Sequence, residues 1–154
     1  MTFTFGEKSE WELKDVHPLL VGVVRRALTV SSVDFGVHDG RRTEAEQRAY
    51  VNSGVSKTMD SRHLTGHAVD LVPYIAGKLR WEWAPIYAIA EAMRTAARAL
   101  KVPLVWGGCW DRNFTDSDEA PADMVRNYTT RQRAKRRDAF TDGPHYELPR
   151  NLYP

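Results

Sequence analysis

The chain is nearly free of cysteine: Cys109 stands alone, so no internal disulfide can staple the fold and no oxidising compartment is required. It also lacks a long apolar run. Nothing approaches the roughly 18 consecutive apolar residues of a membrane helix, so no stable membrane insertion is expected. The opening stretch, MTFTFGEKSEWELKDV, has no basic start followed by an apolar segment, and no secretory signal is expected. Net charge is scarce as well: at a formal +2, bulk electrostatics demand no nucleic acid partner. No internal repeat, low-complexity tract or linker interrupts the sequence. What remains is ordinary for a folded protein, with 42% hydrophobic and 27% charged residues over 154 positions. That is enough for one domain, residues 1–154, with its own core, expected to work as a monomer.

Hydrophobic spacing divides the chain. Leu19, Leu20, Val23, Val24, Ala27 and Leu28 recur at helical intervals, with Asp15 and Pro18 as start signals. Val33, Phe35 and Val37 alternate with polar or small residues, as in a half-buried strand. Residues 43–52 predict a short helix opened by a Thr43/Glu46 capping box. Residues 54–65 read as a polar loop. Ala68 to Val72 predicts a strand that turns Val69 and Leu71 one way and Asp70 the other. Residues 83–100 predict the longest helix, with Ile86, Ile89, Ala90, Met93 and Ala97 as its apolar stripe. Short strands are expected at 103–106 and 145–148, and residues 110–141 read as polar and irregular, then strongly basic. This mixed order with few strands predicts an α+β fold: a small antiparallel sheet with helices packed on one side.

Chemistry concentrates in SRHLTGHAVDLVP, residues 61–73, and DGPHYEL, residues 142–148. His63, Asp70 and His145 make a donor set of two imidazoles and a carboxylate. Three such ligands suit catalytic zinc, because they leave a tetrahedral position for water and the ion lowers that water's pKa toward ~7. Asp142 precedes His145 by three residues, and the Gly143–Pro144 break lets both converge on one site. A carboxylate there is placed to act as general base and then return the proton to a leaving amine. Glu147, two residues beyond His145 on the same strand face, competes for that role and is ranked second, as a group supporting the ligands. His67, four residues after His63, would share a helical face with it, but Gly66 and the following strand pattern disfavour a helix there.

The pattern S-x-H-x-x-G-x-A-x-D followed by D-x-P-H-x-E-L resembles the phage-endolysin branch of the zinc peptidase family that contains D-Ala-D-Ala carboxypeptidases and L-alanyl-D-glutamate peptidases. Asp34–Phe35–Gly36–Val37, the run from Gly40 to Gln47 and the turn Trp106–Gly107–Gly108 are similar to further stretches of that family. The likeness covers residues 16–108 and 138–150. It implies a fold shared with the hedgehog signalling domain, zinc held by His63, Asp70 and His145, and Asp142 as general base. It also implies that Arg42 stabilises the oxyanion of the scissile carbonyl, and that Arg42, Gln47 and Ser61 bind substrate. The implied reaction is hydrolysis of the L-Ala–D-Glu amide in peptidoglycan stems. The implied setting is the cytoplasm of a phage-infected host, with release to the wall through a separate pore-former. Residues 110–140 depart from the family pattern and read as an insertion. Cys109 stands where the family often has aspartate, and is a conceivable adventitious ligand.

Plainer readings accompany the rest. Trp81 and Trp83 could line a glycan-binding surface, but core packing is the favoured use. The run RQRAKRRD, residues 131–138, is read first as a solvated loop or helix face, and second as a surface drawn to an anionic wall. The competing functions are a carboxypeptidase trimming peptidoglycan precursors and a non-catalytic, zinc-containing wall-binding module.

Overall fold

A computed structural model describes residues 2–154. In chain order the helices are α1 (Glu7–Leu13), α2 (Pro18–Val30), α3 (Glu44–Asn52), α4 (Trp83–Leu100) and α5 (Pro121–Ala134). The strands are β1 (Asp34–Asp39), β2 (Ala68–Ile75), β3 (Lys78–Leu79), β4 (Val105–Trp106) and β5 (His145–Glu147). Every pairing is antiparallel, in the order β1-β2-β5-β4, with β3 pairing β2. This is the α+β architecture expected from the sequence.

The two faces of the sheet have different work. Phe35, Val37, Val69, Leu71 and Tyr146 join a core completed by Leu20, Val24, Ile89, Met93 and Ala97 from α2 and α4. Along β2 the alternating residues Asp70 and Val72 line a cavity instead, so strand period alone separates core from site. The β1–β2 register slips between Val37, opposite Leu71, and Asp39, opposite Asp70. This bulge brings Asp39 to the same face as Asp70; an extra residue in one strand re-aims the side chains beyond it.

Sheet edges are liabilities, and α1 covers the edge presented by β1. The Val37 N–H donates to Ser9 Oγ (2.9 Å) and the Gly40 N–H to Glu12 Oε1 (3.0 Å). Two elements depart from expectation. Helix α1 was not foreseen: its seven residues, EKSEWEL, bury only Ser9 and Leu13, too few to establish a period. Within the stretch read as irregular, Pro121 opens α5, the position where its fixed φ suits a helix. The helix is anchored by Met124 and Tyr128, one turn apart in a mostly polar sequence. Start of α2 differs in detail: the cap is His17, whose Nδ1 accepts from the Leu19 N–H (3.1 Å), rather than Asp15.

Candidate metal centre and active site

Three elements bring the candidate ligands together. Asp70 and His145 are direct cross-strand partners on β2 and β5, where side chains on one face lie ~5 Å apart. His63 comes from a short 3-10 turn, Arg62–Thr65, capped at its start by Ser61 Oγ, which accepts from the His63 N–H (3.2 Å). The turn ends at Gly66 with φ +76°, and a Cβ there would lie 2.4 Å from the Asp15 carbonyl. Only glycine tolerates both demands. The ligand atoms of His63, Asp70 and His145 all lie within 4.8 Å of one another, forming a buried group that could hold a metal ion.

The hydrogen bonds decide which nitrogens face the centre. His63 Nδ1 lies 2.7 Å from the Gly40 carbonyl, which only accepts, so Nδ1 carries the proton and Nε2 is free. His145 Nε2 donates to Glu147 Oε1 at 2.8 Å, leaving Nδ1 inward. Both inward nitrogens stand 3.2 Å from the same oxygen, Asp70 Oδ1. Two imidazole nitrogens and a carboxylate oxygen aimed at one another suit a cation among them. The outer hydrogen bonds are those that orient metal-binding histidines, so the residues fit a metal.

Without a metal, a proton fills this place. Burial opposes charge on His145, but its bonds to Asp70 and Glu147 outweigh burial and raise its pKa to about 10. Burial likewise works against the Asp70 carboxylate, yet His63 and His145 hold it well below the usual range. Asp142 lines the same cavity. Burial, with the neighbouring Asp70 charge second, pushes its carboxyl up to about 6. Gly107 makes room for it: a Cβ there would fall 2.2 Å from the Asp142 carbonyl and 3.0 Å from His145 Cβ. The Trp106–Gly107–Gly108 turn is further pinned by Trp106 Nε1 donating to the Gly143 carbonyl (2.8 Å) and by the Gly107 N–H donating to the His145 carbonyl (2.8 Å).

Arg42 lines the cavity but is only 8% exposed. Its guanidinium donates to Asp39 (2.7 Å), Gln47 Oε1 (2.9 Å) and Asp70 Oδ2 (2.8 Å), and lies 4.4 Å from the centre of the Tyr50 ring. Gln47 is fully buried. Its amide nitrogen is spent on Ser56 Oγ and the Thr58 carbonyl, so it holds Arg42 rather than facing the cavity. Ser61 does line the cavity. His67 turns away, packing on His17 with ring centres 5.5 Å apart and its Nδ1 2.7 Å from Thr65 Oγ1. Cys109 also stays outside the ligand group: its buried thiol contacts Asp111 and Arg131 at 3.6 Å each, and burial pushes it up to about 11. Sequence reasoning missed Asp39, whose role depends on the bulge. It also missed Trp110, whose ring centre is 5.2 Å from that of His145.

The cavity, about 650 Å³, runs from this polar wall past Trp110 and Phe140 to Trp81. Trp81 is 56% exposed, which corrects the core-packing expectation. Trp83 is partly covered and stacks on Tyr87 at 5.3 Å.

The family model described as phage L-alanyl-D-glutamate peptidase matches residues 1–130. The chain is 37% identical over 123 residues to the L-alanyl-D-glutamate peptidase of Escherichia phage T5, covering 77% of this chain and 90% of that protein. It is 32% identical over 87 residues to the L-alanyl-D-glutamate peptidase of Listeria phage A118, covering 56% of this chain and 30% of that protein. The crystal structure of Serratia marcescens L-Ala D-Glu endopeptidase ChiX superposes with a TM-score of 0.74 at 39% identity, covering 98% of this chain and 94% of that one. A buried His–Asp–His centre on this fold and relatives of that extent lead to one statement: the chain belongs to the phage L-alanyl-D-glutamate peptidase family.

Proposed function

We propose that this chain is a zinc-dependent endopeptidase that hydrolyses the L-Ala–D-Glu amide of peptidoglycan stem peptides. The observation that carries the reading is the convergence of His63 Nε2 and His145 Nδ1 on Asp70 Oδ1, inside the cavity that Asp142 also lines. Two nitrogens and one carboxylate oxygen favour zinc among the common divalent ions. When bound, zinc would supply a Lewis acid that brings the pKa of water toward ~7 and polarises a carbonyl.

The chain's own groups do the rest. Asp142, half-buried beside the cluster, takes a proton from the attacking water as its oxygen bonds to the L-Ala carbonyl carbon; the C–N bond breaks afterwards. Asp142 then passes that proton to the departing D-Glu nitrogen, so acid and base are one residue. Arg42 is preorganised by three partners. A fixed cation at the cavity wall is what a developing oxyanion needs, because no reorganisation accompanies the reaction. Ser61 caps the His63 turn and stands where a substrate amide can reach its hydroxyl. Trp110 and Phe140 extend the 110–140 segment along one side of the cavity. No helix among the described residues is long and apolar enough to cross a membrane.

The test is mass analysis of peptides released from purified peptidoglycan by wild-type protein, chelator-stripped protein, stripped protein given zinc, and Asp142→Ala. New L-Ala and D-Glu ends, lost on stripping, regained with zinc and absent for a folded Asp142→Ala, are expected. Release of terminal D-Ala alone would instead indicate a carboxypeptidase, and zinc binding without any release a recognition module.

A further inference from the structure

Trp81 is a large aromatic side chain in water at the rim of the catalytic cavity, and nothing in the mechanism above uses it. The fold takes trouble to put it there. Strands β2 and β3 close through the two-residue turn Ala76–Gly77, both with positive φ, as tight hairpins require. The Arg80 N–H then donates to the Pro73 carbonyl (3.0 Å), which continues the hairpin to the residue before Trp81. The ring is held edge-on to His38 of β1, with centres 5.6 Å apart and planes at 86°. His38 is itself exposed and lines the same cavity. Trp11, also exposed, differs: Lys14 lies over its ring, 5.0 Å from the centre, and it is not among the residues lining this cavity.

An exposed, fixed indole face beside a polar imidazole suits a ligand with an apolar face and hydroxyl or acetamido edges. A pyranose ring has this form. The substrate proposed above carries one close to the bond that is cut: in peptidoglycan the L-Ala nitrogen is amide-bonded to the lactyl group of muramic acid. The sugar therefore begins within about 7 Å, roughly two residue lengths, of the amide to be cut. The cavity is also larger than a dipeptide needs.

We infer that Trp81, with His38 at its edge, is the platform for the muramoyl sugar of the substrate, so that the protein reads the junction of glycan and peptide. This rests on the peptidase reading. The test measures kcat/KM for wild type, Trp81→Ala and Trp81→Phe on two substrates: a disaccharide-bearing muropeptide, and the same stem peptide with an acetyl group in place of the sugar. Wild type should favour the muropeptide. Trp81→Ala should lose about tenfold on the muropeptide only, and Trp81→Phe should recover part of that loss. Equal losses on both substrates, or none on either, would overturn the sugar platform while leaving the peptidase intact. A wild type that cuts neither substrate would overturn the peptidase reading, and the platform with it.

Discussion

The two ends of the cavity obey different rules. At the inner wall, His63, Asp70, His145 and Arg42 are buried, and each polar contact is matched by another: Gly40, Glu147, Asp39 and Gln47 hold what the centre needs held. At the rim, Trp81 faces solvent and touches His38 edge-on. Buried polar groups are costly unless satisfied, so the inner wall is rigid and intolerant of change. The other exposed lining residues are held by solvent-facing ion pairs, Lys57–Asp138 and Arg150–Asp60, which contribute little apiece, so the rim tolerates change more readily.

Substitutions can sharpen this contrast. The largest effect is expected for Asp142→Asn, which keeps the shape but removes the base: kcat on muropeptide should fall by about 10²–10⁴-fold with circular dichroism unchanged. Arg42→Ala should cost about 3–5 kcal/mol of stability in urea titration, because Asp39 and Asp70 stay buried without their shared cation. Glu147→Gln, which replaces the carboxylate behind His145, should weaken zinc binding about 10–100-fold by competition with a chelating dye. A result under twofold would mean that the inner wall is less tightly coupled than its hydrogen bonds indicate.

The pH behaviour of the metal-free protein probes the same wall. The Asp142 carboxyl, raised from 3.8 to about 6, binds its proton more tightly folded than unfolded. That stabilisation is complete below pH ~4 and is lost as pH rises through about 6. Metal-free Asp142→Asn should therefore melt higher than metal-free wild type at pH 7, by at most about 3 kcal/mol, and the difference should vanish near pH 4. The smallest effect belongs to the exposed basic residues that follow α5. Neutralising Arg136 and Arg137 should change stability by less than about 0.5 kcal/mol, while reducing low-salt sedimentation with purified wall.

How much of this was legible beforehand follows the same division. Helix α4 was readable because its apolar stripe, Ile86 to Ala97, repeats over about three turns, and α3 because Thr43 and Glu46 cap each other reciprocally. The grouping of His63, Asp70 and His145 was readable because strand period sets Asp70 against Val69 and Leu71, and because Gly143–Pro144 leads into the last strand. The shift that brings Asp39 under Arg42 was not, since a bulge is set by pairing between strands and leaves no mark in either one alone. The inward role of Gln47 was hidden for a related reason: a glutamine on a polar helix looks exposed until Ser56 and Thr58 fold back over it.

One topological fact has a consequence in time. Strand β5 follows every other strand in sequence, yet it lies between β2 and β4 in the sheet. A chain still emerging from the ribosome therefore lacks an interior strand, His145 and the proposed base Asp142 together, however well its earlier helices have formed. Activity must appear late and all at once, gated by a contact that spans 75 residues between Asp70 and His145. Long-range closure of this kind is slow, so partial products of synthesis are inert by construction.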